Sequence, residues 1–125
     1  MSSWHRDDLE KISKTDDLHI APLREDGVTF GTPIWIWAVV VGDALYVRAY
    51  HGTFSSWYKA AMRQQRGRIH AAGITKDVTF EAVTEKSMNE QIDNAYRAKY
   101  RTSPYLEPMI SERSRSATVK IRPEA

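Results

Sequence analysis

Hydrophobic and polar residues alternate with a period of two in several segments of this chain, a pattern that predicts β-strands. The longest apolar run, "TPIWIWAVVV" at 32–41, puts Ile34 and Ile36 on one face and Trp35 and Trp37 on the other. Both faces are apolar, so we expect other parts of the structure to cover both. The next run, "ALYVRAY" at 44–50, follows a two-residue turn at 42–43, which predicts an antiparallel hairpin.

Helical spacing appears in three further segments. A helix is predicted over 55–65, and a shorter one from Trp4 to about Ser13, with Ser3 as its cap. Ser87 and Glu90 have the spacing of a capping box for a third helix. Apolar residues recur on one face of that helix at Met88, Ile92, Ala95, Tyr96 and Tyr100.

The remaining segments add strands and turns. One extended segment begins at Leu18 and ends at the Asp26-Gly27 turn, and a hairpin is predicted around Lys76-Asp77. The segment "SATVKIR" supplies a last strand. The total is six strands and two to four helices, which favours an α+β fold built on a small antiparallel barrel. We expect one domain over 1–125, in which 1–16 form an N-terminal helical extension.

Composition narrows the classes of function. The chain has no cysteine, which excludes disulfides and thiolate chemistry. The apolar run from Ile34 to Val41 is too short to span a bilayer, and no secretory signal is recognisable, so we expect a cytoplasmic protein without membrane contact. None of the four histidines has metal-ligand spacing to another, so no metal site is predicted.

Charge is unevenly distributed along the chain. Residues 1–55 carry a net charge of −3 and residues 56–125 a net charge of +5. The basic half includes the run "RQQRGR" at 63–68, but it lacks the clustered footprint that is typical of a nucleic-acid-binding protein. Nucleic acid is therefore not an expected partner.

The segment "RAYHGTFSSWYKAA" at 48–61 is the strongest candidate for chemistry. Arg48, Ser55, Ser56 and Lys59 lie near a predicted helix start, where unpaired N–H groups and the helix dipole favour phosphate. Trp35, Tyr50 and Trp57 can supply flat walls for a ring. The alternative from the same residues is a capped surface turn, in which Ser55 is an N-cap and Arg48 pairs with an acid.

The stretch "GTPIWIWAVVVGDALYVRAYHGTFSSWYKAAMRQQRGRIHAAGITKDVTFEAV" resembles an uncharacterised family of the flavin-binding split-barrel superfamily, which includes pyridoxamine-phosphate oxidases and deazaflavin-dependent nitroreductases. The resemblance covers roughly 17–122. It implies a six-stranded antiparallel Greek-key split β-barrel with flanking helices, assembled as a homodimer with cofactor sites at the interface.

The resemblance also implies roles for residues. Those matching Arg48, Ser55, Ser56 and Lys59 hold a cofactor phosphate, and the segment matching 32–35 lines the isoalloxazine ring. With the aromatic walls, the expected cofactor-binding residues are Thr32, Pro33, Trp35, Arg48, Tyr50, Ser55, Ser56, Trp57 and Lys59.

The leading hypothesis is therefore an oxidoreductase that binds FMN or a deazaflavin and acts on a small organic substrate. The flavin supplies the redox chemistry in such enzymes, so the lack of an acid–base dyad does not count against this function. No catalytic residue is identified. The alternative is a non-catalytic split-barrel dimer that binds another ligand or nucleic acid.

Overall fold

The computed structural model describes residues 4–124. Its helices are α1 Arg6–Ser13, α2 Ser56–Gln64, α3 Lys86–Lys99, α4 Leu106–Met109 and α5 Glu112–Arg115, and a 3-10 turn spans Gly52–Phe54. Its strands are β1 His19–Pro22, β2 Ile34–Trp35, β3 Ala38–Val41, β4 Ala44–Arg48, β5 Arg66–Ala71, β6 Ile74–Ala82 and β7 Thr118–Pro123. Ser3, the predicted cap of α1, lies outside the described residues. Asp7 and Asp8 occupy the first turn of α1.

All seven strands form one antiparallel sheet in the order β2-β1-β5-β6-β7-β4-β3. The two edge strands, β2 and β3, are consecutive in the chain and are separated only by Ile36 and Trp37. A flat sheet of seven strands at ~4.8 Å spacing would hold its edges about 29 Å apart. The link between these edges reaches only about 11 Å. The sheet must therefore curl, and it forms a half-barrel.

The predicted count of six strands was wrong because the segment 32–41 is not one strand. It breaks at Ile36 and Trp37 into β2 and β3. The Trp37 ring stacks on Tyr100, the C-cap residue of α3, with ring centroids 3.9 Å apart and an interplanar angle of 2°. The Ile36 N–H donates to the Leu18 carbonyl at 3.0 Å. These contacts turn the chain from one sheet edge to the other.

The β5–β6 hairpin also turns at a different place from the predicted Lys76-Asp77. The connection is Ala72-Gly73, and both residues have positive φ, at 52° and 78°. Two consecutive positive φ values are typical of a type I′ turn, which matches the twist of a two-residue hairpin. Lys76 and Asp77 lie within β6, paired with Ile69 and Arg68.

Two apolar clusters lie on opposite faces of the sheet. Alternation along β4 separates them: Leu45 and Val47 belong to the cluster that α1 and α2 help to close, and Tyr46 belongs to the cluster under α3. The apolar stripe predicted for α3 is confirmed, since its five residues all belong to or pack against the second cluster. The predicted capping box is not formed, because Ser87 Oγ donates to Glu85 Oε1 at 2.5 Å and no side chain caps the helix.

None of the helices within 4–124 combines the length and apolar character that crossing a bilayer requires.

The loop between Arg24 and Phe30 is organised by one carboxylate. Asp26 Oδ1 accepts the N–H groups of Val28 and Thr29 at 2.9 Å each, and Oδ2 accepts the Thr29 hydroxyl at 2.5 Å. The Thr29 hydroxyl, followed by these two N–H groups, lowers the pKa of Asp26 from 3.8 to about 2. The ionised carboxylate is therefore the form that the folded loop favours.

We expect Asp26→Asn to destabilise the protein in a pH-dependent way. Because the folded-state pKa is lowered, the contribution of Asp26 is fully present above pH 3.8 and is lost as the pH falls through about 2. The melting temperature of the variant should lie below that of the wild type at about pH 6, and the gap should narrow towards about pH 2. A gap that stays constant over this range would show that the carboxylate charge is not involved.

Candidate functional site

A cleft of about 660 Å³ opens beside the break between β2 and β3. Its volume lies within the range of ~300–1,000 Å³ typical of small-molecule sites. The aromatic lining residues are Trp35, Trp37, Tyr50, Trp57 and Tyr105. The aliphatic ones are Ile34, Ile36 and Met109, and the polar ones are Arg48, His51, Ser55 and Ser56.

The cleft brings together most of the residues proposed from the sequence. Those of the expected cofactor-binding set that line it are Trp35, Arg48, Tyr50, Ser55, Ser56 and Trp57. Thr32, Pro33 and Lys59 do not line it. The Lys59 ammonium instead lies 6.0 Å from the centroid of the exposed Phe54 ring. The arrangement defines a candidate site, and whether these residues contact a cofactor stays a prediction.

The indole walls of the cleft are held in place by contacts outside it. Trp35 is 51% exposed, yet its Nε1–H donates to the Asp16 carbonyl at 2.5 Å. Trp37 is fixed by its stack on Tyr100. Trp57, in the first turn of α2, is buried against the barrel core. Because these rings are already fixed, a ligand that stacks on them would not lose free energy by ordering their side chains.

Arg48 lies at the floor of the cleft, fully buried, and all five of its N–H groups are used within the protein. Nε donates to Thr118 Oγ1 at 2.9 Å. Nη1 donates to Asp93 Oδ1 and to the Met109 carbonyl, and Nη2 donates to the Asn89 carbonyl and side-chain oxygen at 3.1 and 3.0 Å. The direct phosphate contact predicted for Arg48 is therefore not available in this arrangement. Its role is to join β4 to the helices behind the cleft.

Asp93 connects Arg48 to a second arginine. Its Oδ1 accepts from Arg48 and its Oδ2 accepts from Arg115 Nη2 at 2.6 Å. The three side chains carry one carboxylate and two guanidinium groups, so the network holds one surplus positive charge. Both cations also donate to carbonyls at the end of α4, Arg48 to Met109 and Arg115 to Ile110. The network thereby fixes the wall that carries Met109.

The start of α2 lies at the cleft. Ser55 is its N-cap residue and Ser56 its first helical residue, and no side chain caps the helix. The first N–H groups of a helix have no partner within the helix, and the helix dipole makes this end positive. No aspartate or glutamate is among the residues that line the cleft in the described part of the chain. The electrostatic character of the site therefore favours anionic ligands.

Burial shifts the pKa of several groups behind the cleft. It raises the pKa of the Tyr96 and Tyr100 hydroxyls far above their usual value, so both stay neutral. It lowers the pKa of Lys99, whose ammonium donates to the Ala38 carbonyl at 2.7 Å. The two tyrosines are therefore structural hydrogen-bonding groups rather than acids that act near neutral pH.

The structure shows the alternative in which Arg48 pairs with an acid, but sequence reasoning did not identify that acid as Asp93. Asn89 and Asp93 lie one turn apart on α3, next to Ile92 and Tyr96 of its apolar stripe, and all four are buried. A carboxylate on the buried side of a helix needs a cationic partner. The position of Asp93 beside the apolar stripe of α3 was therefore the sequence signal that could have identified it as the partner of Arg48. The contributions of Tyr105 and Met109 were also missed, because they come from a segment with no clear pattern.

The basic run at 63–68 is largely neutralised by ion pairs. Arg66 pairs with Glu124 at 2.7 Å, and Arg68 pairs with Asp77 at 2.7 Å. The Arg68 guanidinium also lies 4.1 Å from the centroid of the Phe30 ring. Pairing of this kind reduces the charge that the run offers to a polyanion.

Comparison with known proteins places the chain in a family. Residues 8–121 match the family described as "Uncharacterized protein conserved in bacteria (DUF2255)". The chain belongs to this family. No curated protein matches the chain.

Two crystal structures show what the fold of this DUF2255 protein is similar to. The conserved hypothetical protein Rv2991 from Mycobacterium tuberculosis has a TM-score of 0.63 at 14% identity, covering 99% of this chain and 82% of its own. A FAD-binding protein (mll6688) from Mesorhizobium loti has a TM-score of 0.56 at 13% identity, covering 98% and 92%. At these identities the likeness establishes a shared fold.

Proposed function

We propose that the cleft of this DUF2255 protein binds FMN or a deazaflavin, and that the protein is an oxidoreductase acting on a small organic substrate. The observation that carries the proposal is the cleft itself: three fixed indoles, an uncapped helix start and no carboxylate among the described lining residues. The shared fold with a FAD-binding protein supports it.

The residues present fit a flavin in two parts. Trp35 and Trp57 would face the ring system, which is planar and apolar over most of its surface. The N–H groups at the start of α2, with the hydroxyls of Ser55 and Ser56, would take the phosphate. A bound flavin supplies the electron transfer, and the protein positions it and excludes water. Arg48, at the floor of the cleft, would act through the surplus charge that it shares with Asp93 and Arg115 rather than by contact.

Titration with flavins tests this proposal. We expect FMN to bind at micromolar concentration with quenching of its fluorescence, because its ring would stack on indoles. Riboflavin, which lacks the phosphate, should bind more weakly, by roughly tenfold or more if a charge-assisted contact is lost. If none of FMN, FAD and a deazaflavin binds at micromolar concentration, the protein is not a flavin oxidoreductase, and a non-catalytic role in binding another ligand replaces the proposal.

A homodimer stays a prediction. Large apolar side chains are exposed at the cleft. Ile34, Trp35 and Tyr105 line it, and Phe54 directly precedes its lining residue Ser55. Clusters of exposed apolar groups are typical of interaction surfaces, and a second copy of the chain would cover this one.

A further inference from the structure

The rim of the cleft carries a cation on an aromatic platform that flavin binding does not explain. The Arg113 guanidinium lies 5.3 Å from the centroid of the Tyr50 ring. The same ring meets His51 edge-on at 5.1 Å and Tyr105 edge-on at 6.3 Å. Tyr50, His51 and Tyr105 all line the cleft. We call these three residues and Arg113 the rim cluster.

The position of Arg113 is set by close backbone packing. Gly52 has a φ of +71°, and a Cβ there would lie 2.7 Å from Arg113 Cγ and 2.9 Å from the Arg113 carbonyl oxygen. Ser114 Oγ, next in α5, donates to the Tyr50 carbonyl at 3.2 Å. The segment 50–52 and α5 therefore pack directly on each other. Arg113 stays over Tyr50 because its backbone is held there.

Arg113 keeps its charge available. Within residues 4–124 it forms no ion pair, whereas its neighbour Arg115 is paired with Asp93. The described residues that line the cleft include no carboxylate that could compete for it. A guanidinium beside an aromatic ring is suited to an anion attached to a flat apolar group, since the ring stacks and the guanidinium donates to the anion.

We propose that the rim cluster is the substrate subsite and that the substrate class is planar organic anions such as aromatic carboxylates. The assignment of the bound molecule as a substrate rests on the proposed flavin function, whereas the binding of the anion does not. Tyr50 and Tyr105 contact the ring, and Arg113 donates to the carboxylate. The competing explanation is that Arg113 only packs on Tyr50 and has a structural role. It predicts that the cleft binds anionic and neutral aromatic ligands equally well.

Paired probes distinguish these explanations. The probes are 1-naphthoate and its neutral counterpart 1-naphthamide. Calorimetry measures the affinity of each for the full chain. The wild type should bind the carboxylate more tightly than the amide. Arg113→Gln should weaken naphthoate binding about five- to tenfold and leave naphthamide unchanged. Arg63→Gln, which removes an exposed arginine near the far end of α2, should change neither affinity.

A second variant guards against a folding effect. Arg113→Met keeps the Cγ atom that packs near Gly52 but removes the charge, and it should weaken naphthoate binding as much as Arg113→Gln does. Naphthoate that binds the wild type no better than naphthamide, or binds both Arg113 variants as tightly as the wild type, would overturn the proposal.

Flavin affinity measured on the same proteins separates this inference from the proposed function. If the protein binds flavin but shows no preference for naphthoate over naphthamide, the proposed substrate subsite is wrong and the proposed flavin function stands. If the protein binds no flavin but prefers naphthoate in a way that depends on Arg113, the oxidoreductase proposal is wrong. The cleft is then an anion-binding site.

Discussion

Replacing Arg48 with alanine is expected to lower the free energy of unfolding by about 3–5 kcal/mol. The guanidinium is fully buried and pairs with Asp93, which is itself buried. Its loss removes five donated hydrogen bonds and leaves acceptors on Asn89, Met109 and Thr118 without this donor. Urea denaturation followed by circular dichroism measures the change.

An exposed ion pair gives the matched control. Arg66 pairs with Glu124 at 2.7 Å, but its side chain is 57% exposed, so Arg66→Ala should cost no more than about 1 kcal/mol. If the two alanine variants lose the same small amount of stability, the network around Arg48 does not hold the cleft floor together.

Replacing Gly52 with alanine is expected to cost about 2–5 kcal/mol, from two effects that add. A left-handed φ costs a residue with a Cβ about 1–2 kcal/mol. Overpacking adds about 1–3 kcal/mol, since the new Cβ would meet the Arg113 carbonyl oxygen at 2.9 Å. Relief of the clash would push the segment 50–52 away from α5 and displace Tyr50, so ligand binding in the cleft should weaken as well.

Gly42→Ala isolates the effect of φ. Gly42 has a φ of +62°, close to that of Gly52, and its added Cβ would meet nothing within 4 Å. This variant should lose only about 1–2 kcal/mol and should bind ligands as the wild type does. Equal losses for the two glycine variants would show that the packing of Arg113 on Gly52 contributes nothing.

Much of the architecture could be predicted because it depends on local periodicity. The two-residue alternation of β4 correctly put Tyr46 and Arg48 on one face, which packs against α3, and the spacing in α3 correctly gave its buried stripe. The break at Ile36 and Trp37 could not be predicted, because the strands and the link between them are equally apolar. At the break Trp37 stacks on Tyr100, a contact between residues far apart in the chain.

The candidate site was predictable to a similar extent. The end of β2 and the start of α2 bring Trp35, Ser55 and Trp57 to one cleft, and the sequence had indicated these three residues. Arg48 shows the limit of this reasoning, because its partner Asp93 is 45 residues away. Charge and proximity to a helix start do not reveal whether an arginine's donors are free, and here acceptors on α3, α4 and β7 together occupy all of them.

The four tryptophans provide the most direct test of the claim that the cleft binds a flavin. Trp35, Trp37 and Trp57 line the cleft, whereas Trp4 is buried elsewhere with its Nε1–H bound to the Ile121 carbonyl at 2.9 Å. In a proton–nitrogen correlation spectrum, titration with FMN should shift the indole signals of the three cleft tryptophans in proportion to occupancy and leave that of Trp4 in place. FMN that shifts none of the three, or shifts Trp4 as much as the others, would contradict this account.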